Sequence, residues 1–267
     1  MARANRHFLS GYAWHITHRC HNKEFLLKLV KDRQRLLYWF FQAKKRYGLC
    51  ILNYIITSNH IHLLVYDKGR SPDHIPRSIQ LIAGRTGQEY NQRKNRKGAF
   101  WEDRYHATAV QDDSHLIKCI NYIDLNMVRA GVVDHPIKWK QSGFNEIQNP
   151  RKRYGLINYD FLMKLLGFSD YDSLKTAHNQ WIELALDQTN KKDPAWTRSI
   201  AVGDKQFIEK TKALLGDKAK GREEIKSGTG FELKEEQAPY GNFELDFDNK
   251  FYWDIDDFLR KPFLISK

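Results

Sequence analysis

The sequence predicts an α+β fold: a ferredoxin-like antiparallel sheet with helices on one face, followed by a mainly helical C-terminal extension. Two observations carry this prediction. Strand-like runs rich in β-branched and aromatic residues occupy Tyr12–Cys20, Cys50–Thr57, His60–Tyr66 and the end of Phe100–Val110. Two long helical periodicities, Glu24–Tyr47 and Asp73–Arg93, fall after the first and third of these runs. The order strand, helix, strand, strand, helix, strand is that of a split βαβ unit.

Taken in order, each element has its own signal. Asn22 is placed to cap the first helix, whose stripe is Phe25, Leu26, Leu29, Val30, Leu36, Leu37 and Phe40. Gly48 follows it in the position that a left-handed C′ residue takes. Only Ser58-Asn59 separates the second and third strands, too short a link for a crossover, so they pair antiparallel. Pro76 falls in the first turn of the second helix, where a missing N–H costs nothing. A third helix is expected from His115 to Ala130, with Asp112, Asp113 and Ser114 ahead of it and Gly131 after it.

Composition narrows the functional classes. Three scattered cysteines do not make a disulfide framework or a cysteine zinc site. No run of 18 apolar residues exists, which argues against a membrane span or membrane partner. No apolar stretch follows the basic N-terminus, so a cytoplasmic location is expected. The net charge of +12 is segregated. Residues 1–110 hold 20 Lys and Arg against 7 Asp and Glu, while the rest hold 24 against 25. A field confined to one part of the chain points to a polyanion partner, foremost nucleic acid, and so to a protein held at the nucleoid through DNA.

That basic part contains His60-Ile61-His62. In a strand both imidazoles project to one face, as in half of a metal site. Taken alone, such a pair is more often two half-exposed histidines at a strand edge. The third helix changes the balance. Leu116, Ile120, Ile123 and Met127 form its apolar seam, and His115, Cys119, Tyr122, Asn126 and Arg129 flank it. Tyr122 and Asn126 are neighbours at i and i+4. An Asn carbonyl oxygen suits a hard cation, so His60, His62 and Asn126 make a three-ligand set with open positions. A tyrosine is a poor nucleophile unaided, but serves when the phosphate it attacks is polarised.

Three segments together resemble the single-tyrosine HUH transposases, and among them the REP-associated tyrosine transposases. They are Ser58–Val65 (SNHIHLLV), Gly98–Tyr105 (GAFWEDRY) and Tyr122–Val132 (YIDLNMVRAGV). The resemblance implies a magnesium or manganese ion on His60, His62 and Asn126. It implies attack by Tyr122 on single-stranded DNA, leaving a 5′-phosphotyrosine. Palindromic, REP-like hairpin DNA is the substrate it implies, with a homodimer among the assemblies to consider. Met127 stands where the family motif has proline, a departure that would let the helix run further.

Arg93, Lys94, Arg96 and Lys97 form a basic loop suited to a DNA backbone; Trp101, Arg104, Tyr105 and Arg129 are further DNA-contact candidates. His115 is the candidate general base. The competing reading is a protein of the same fold that binds DNA or RNA hairpins as a regulator without cleaving them.

The domain expectation is a catalytic domain over 1–149 and a helical extension over 150–267. Helices are expected at Phe161–Leu166, Tyr171–Leu186 and Asp204–Leu215, with poor order from Lys218 onward. The segment Phe243–Leu259 interleaves acids with aromatics, as a docking or partner-recruiting tail would.

Overall fold

A computed structural model of the chain describes residues 8–69, 71–187, 194–228 and 230–234. The tail expected at Phe243–Leu259 lies outside the described residues. In chain order come β1 (Ala13–Arg19), α1 (Val30–Tyr47), β2 (Cys50–Ile56), β3 (His60–Tyr66), α2 (His74–Lys94) and β4 (His106–Val110). Then follow α3 (Ser114–Asp124), α4 (Asn126–Arg129), α5 (Gly143–Gln148), α6 (Tyr159–Leu166) and α7 (Tyr171–Asp187). The last are α8 (Ala195–Arg198), β5 (Ser199–Gly203), α9 (Lys205–Leu215), β6 (Glu223–Ser227) and β7 (Gly230–Lys234). All described residues belong to one compact unit.

The sheet order is β2-β3-β1-β4-β5-β7-β6. Its first four strands pair antiparallel in the ferredoxin-like order. β5 adds to β4 in parallel, and β7 and β6 follow antiparallel. The C-terminal part is helical through Asp187, as expected, and then contributes three strands that the sequence did not announce. Within the described residues 218–228 and 230–234, the expectation of poor order from Lys218 is corrected by the β6–β7 hairpin. Its strand Glu223–Ser227 is largely exposed and polar, so it lacks the alternation that marks a half-buried strand.

Register fixes which side chains share a face. Thr17 pairs with His62 and His106, Arg19 with His60, and His15 with Leu64 and Thr108. One face of the central strands therefore carries His15, Thr17, Arg19, His60, His62, His106 and Thr108. The opposite face carries Ile16, Ile61, Leu63 and Tyr54, and α1 covers it, Phe40 meeting Tyr54 edge to face at 6.0 Å. α2 lies against α1, joined by Arg35 and the Trp39 indole, both donating to Glu89. This is the expected one-sided pair of helices. The histidine face has its own cover as well, α3, whose seam Leu116, Ile120, Ile123 and Met127 is buried. With α1 and α2 occupying the first face, that apolar seam can only be buried against the second.

Two boundaries are corrected. The first helix begins at Val30, not Glu24, and Asn22 is not its cap but sits at φ 50° in a short 3-10 turn. Leu26 and Leu27 are buried from a loop instead, with Leu27 N donating to Ser58 O at 2.8 Å. Their spacing mimicked helical periodicity. The third helix breaks at Leu125 (ψ 6°), so Tyr122 and Asn126 sit on two successive helices. The break precedes Met127; replacing the family's proline does not let the helix run through.

Candidate active site

β3 brings His60 and His62 to one face, and α3 and α4 bring Tyr122 and Asn126 over them. Asn126 Nδ2 lies 3.1 Å from His62 Nε2. The two imidazole rings of β3 are 4.9 Å apart and nearly perpendicular. The Tyr122 ring stands edge-on to His62 at 5.7 Å and to His15 at 6.0 Å. Arg129 caps this ring, its guanidinium carbon 4.2 Å from the centroid, and also donates to the Tyr122 carbonyl.

The surroundings set the tautomers of both β3 histidines. His60 Nδ1 lies 2.7 Å from Asn59 Oδ1, whose amide nitrogen donates to Lys23 O at 3.2 Å. Asn59 Oδ1 is thereby an acceptor, so His60 Nδ1 carries the proton and its Nε2 holds the lone pair. His62 Nδ1 lies 2.9 Å from His15 Nε2, and His15 Nδ1 lies 2.8 Å from the Trp196 carbonyl. The carbonyl can only accept. His15 is therefore protonated at Nδ1 and accepts at Nε2 from His62 Nδ1–H, which leaves a lone pair on His62 Nε2. Two Nε2 lone pairs and the Asn126 amide oxygen are a donor set that fits a divalent cation. Among the described residues no trio of His, Cys, Asp or Glu is grouped to hold a metal. The third protein donor, if an ion binds, is thus an amide.

Burial keeps these rings neutral. His15 is lowered to about 3, first by desolvation, against the pull of its bond to Trp196 O. His60 is lowered to about 3 by desolvation and then by Arg19, with the Asn126 amide opposing. His62 is pushed well below the usual histidine range by desolvation, then by His60 and His15. Arg19 and Arg129 both bear on His60 and His62, so positive charge already borders the place where a phosphate would approach.

The break between the two site helices is anchored. Asp124, fully buried, accepts from Asn53 Nδ2 on β2 at 3.1 Å and from His178 Nε2 on α7 at 2.8 Å. His178 Nδ1 in turn accepts from Gln148 Nε2 on α5 at 2.9 Å. Removing the carboxylate strands two buried donors, at a cost of about 3 kcal/mol or more. Asp124→Ala should lower the urea midpoint correspondingly, with Asp124→Asn less affected because it keeps an acceptor. Equal stability of Asp124→Ala and the parent chain would remove the anchor from the account.

The other candidates are dispersed. His115 lies at the far end of α3 from Tyr122, seven residues earlier or about 10 Å of rise. It packs at Gly230 on β7, where a Cβ would stand 2.8 Å from its Nε2; the structure does not bring it to the tyrosine. Arg93 pairs with Asp32 on α1, and Arg96 donates to Asn91 Oδ1 and Ala99 O, so both shape the loop itself. Lys94, Lys97 and Arg104 are exposed. Trp101 stacks on His18 at 4.2 Å and donates to Ala83 O on α2 at 3.0 Å. Tyr105 is half-buried, 6.3 Å from the His18 ring. The sequence reading missed His15, Arg19 and Trp196. Only the β1–β3 register, a non-local fact, reveals the first two.

Residues 9–126 match the family model described as Transposase IS200 like. No curated protein matches the chain. A solved structure of a REP-associated tyrosine transposase bound to a REP hairpin is 19% identical, with a TM-score of 0.46, covering 55% of this chain and 84% of that one. A second, described as a transposase from Deinococcus radiodurans R1, is 13% identical, with a TM-score of 0.32, covering 41% of this chain and 86% of that one. The family match runs from just before β1 to Asn126 and takes in His60, His62 and Tyr122.

Proposed function

We propose that this protein is a metal-dependent, single-stranded DNA endonuclease and strand transferase of the REP-associated tyrosine type, with Tyr122 as its nucleophile. The observation that carries this reading is the convergence of His60, His62 and Asn126 beside the Tyr122 ring, inside the family-matched segment. The proposed substrate is hairpin DNA with a single-stranded flank. The charge excess of residues 1–110 supports a polyanion, and Lys94, Lys97 and Arg104 are exposed for backbone phosphates.

His60 and His62 through Nε2, with Asn126 through Oδ1, would hold one magnesium or manganese ion. Bound there, it supplies positive charge to the non-bridging oxygens of the scissile phosphate. The Tyr122 oxygen gives up its proton to solvent and forms a bond to phosphorus as the bond from phosphorus to the 3′ oxygen breaks. Solvent returns a proton to that leaving oxygen, so the deoxyribose departs as a 3′-hydroxyl, and the DNA 5′ end stays on Tyr122. Arg129, stacked on the ring, holds the tyrosine in place. A phosphodiester is exchanged for a phosphodiester, so a second 3′-hydroxyl can reverse the step; this suits strand transfer better than hydrolysis.

The test is a labelled hairpin oligonucleotide with a single-stranded flank, incubated with the full chain and manganese or magnesium. The expected result is an SDS-stable protein–DNA adduct and a 3′-hydroxyl fragment, both lost in EDTA. Tight hairpin binding with no adduct under any of these conditions would replace this reading by that of a regulatory hairpin-binding protein.

A further inference from the structure

We propose that His15 is a positioning residue for the metal site, and that the C-terminal segment completes that site through the Trp196 carbonyl. This inference rests on the reading of His60, His62 and Asn126 as a metal site and adds to it residues that lie outside the ligand set.

A metal-binding imidazole has two requirements. One nitrogen must carry a lone pair toward the ion, and the other must donate its proton to a fixed acceptor. That acceptor is ordinarily a carboxylate, a backbone carbonyl or a water. For His62 it is a second imidazole. His15 Nε2 lies 2.9 Å from His62 Nδ1, a hydrogen-bond distance that leaves no room for an ion between the two rings. The rings are nearly parallel, 11° apart in plane, with centroids 5.0 Å apart. His15 is therefore not a further ligand in this arrangement but the acceptor behind one.

A neutral imidazole accepts at only one nitrogen, so the direction of the relay must be set at its other end. The Trp196 carbonyl, 2.8 Å from His15 Nδ1, sets it. Trp196 O accepts from His15, His15 accepts from His62, and His62 Nε2 keeps its lone pair toward Asn126, whose Nδ2 lies 3.1 Å away and donates to it. The carbonyl is itself fixed. Thr108 Oγ1 on β4 lies 3.3 Å from Trp196 O and donates to Ser199 O at 2.6 Å, and His106 Nε2 donates to Ser199 O at 3.0 Å. The Trp196 indole packs 6.2 Å from the Tyr122 ring, so the same residue borders the nucleophile. His15 and Trp196 are both buried, which shields the relay from competing water. Residue 196 lies 70 positions beyond the end of the family-matched segment, so the piece of chain that orients His62 is not part of that segment.

Two measurements test this. Long-range 1H–15N correlation spectra of the metal-free full chain read the tautomers directly. His62 and His15 should both be protonated at Nδ1, and a His62 ring protonated at Nε2 would overturn the relay. Manganese binding, followed by electron paramagnetic resonance or calorimetry, then compares the parent with His15→Phe and His15→Gln. His15→Phe should weaken binding about 10–100-fold. His15→Gln, whose amide keeps an acceptor, should recover most of the loss. A His15→Phe protein that binds manganese as tightly as the parent overturns the inference and leaves the metal reading standing. A parent chain that binds no manganese overturns both.

Discussion

Tyr122→Phe is expected to bind a hairpin oligonucleotide like the parent chain and to form no covalent adduct with it. The reason is local. The phenyl ring can keep every packing contact that the tyrosine ring makes, with His15, His62, Trp196 and the Arg129 guanidinium. The bond from Arg129 to residue 122 goes to the backbone carbonyl and survives the substitution. What is lost is the single oxygen that can bond to phosphorus. Adduct yield should fall by a factor on the order of 10⁴–10⁶, the scale seen when a nucleophile is removed from an intact site. Binding should stay within a few fold, because phosphate contacts spread over many cations dominate it. Electrophoresis in SDS after incubation with manganese reads the adduct, and filter binding reads affinity. An adduct that persists in Tyr122→Phe would assign the chemistry to another residue. A parallel loss of binding would mean that the hydroxyl also carries DNA affinity, and the loss of adduct would then no longer isolate the chemical step.

The parts of this site that the sequence discloses are those that depend on local periodicity. His60 and His62 share a face because a strand alternates, and the pair is readable from three residues. The seam of α3 is readable from helical spacing, and it places Tyr122 beside the seam without any knowledge of the sheet. The parts it conceals depend on pairing between distant strands. His15 is one of three histidines in or beside the β1 run, with His18 and His21, and nothing local distinguishes it. Its partnership with His62 requires β1 and β3 to pair antiparallel in one register. Trp196 requires, in addition, that β5 return to the β4 edge. Leu26 and Leu27 misled for the opposite reason: apolar spacing is satisfied equally by a helix face and by a loop pressed into the core. Leu125 hides its break because Asp124, whose buried carboxylate is tied to β2 and α7, looks like an ordinary solvent-facing acid in sequence.

Acid should destabilise the metal-free protein steeply, and the site histidines should account for it. His15 and His60 are both lowered to about 3 from the ordinary value of 6.5, and His62 is pushed well below it, each first by burial. In the unfolded chain the three titrate near 6.5. The unfolded state therefore binds more protons at every pH between these limits, so stability rises with pH there. The sign is that of depressed groups: the contribution is complete above about pH 6.5 and is lost as pH falls toward 3. Three such groups give a limiting slope of about 4 kcal/mol per pH unit, at roughly 1.4 kcal/mol per proton. Against a typical domain stability of about 5–15 kcal/mol, that is enough to unfold the chain between about pH 6 and pH 4. Urea unfolding in EDTA at pH 7.5, 6.0 and 5.0 measures the slope, and His15→Phe should reduce it by close to one proton. Added manganese should raise the midpoint by binding only the folded site, and by a similar increment at pH 7.5 and pH 5, because the folded site rings stay neutral at both. A midpoint that does not move between pH 7.5 and pH 5.0 would show that these rings are not held neutral, and a site that tolerates the imidazolium form could not offer the two Nε2 lone pairs on which metal binding depends.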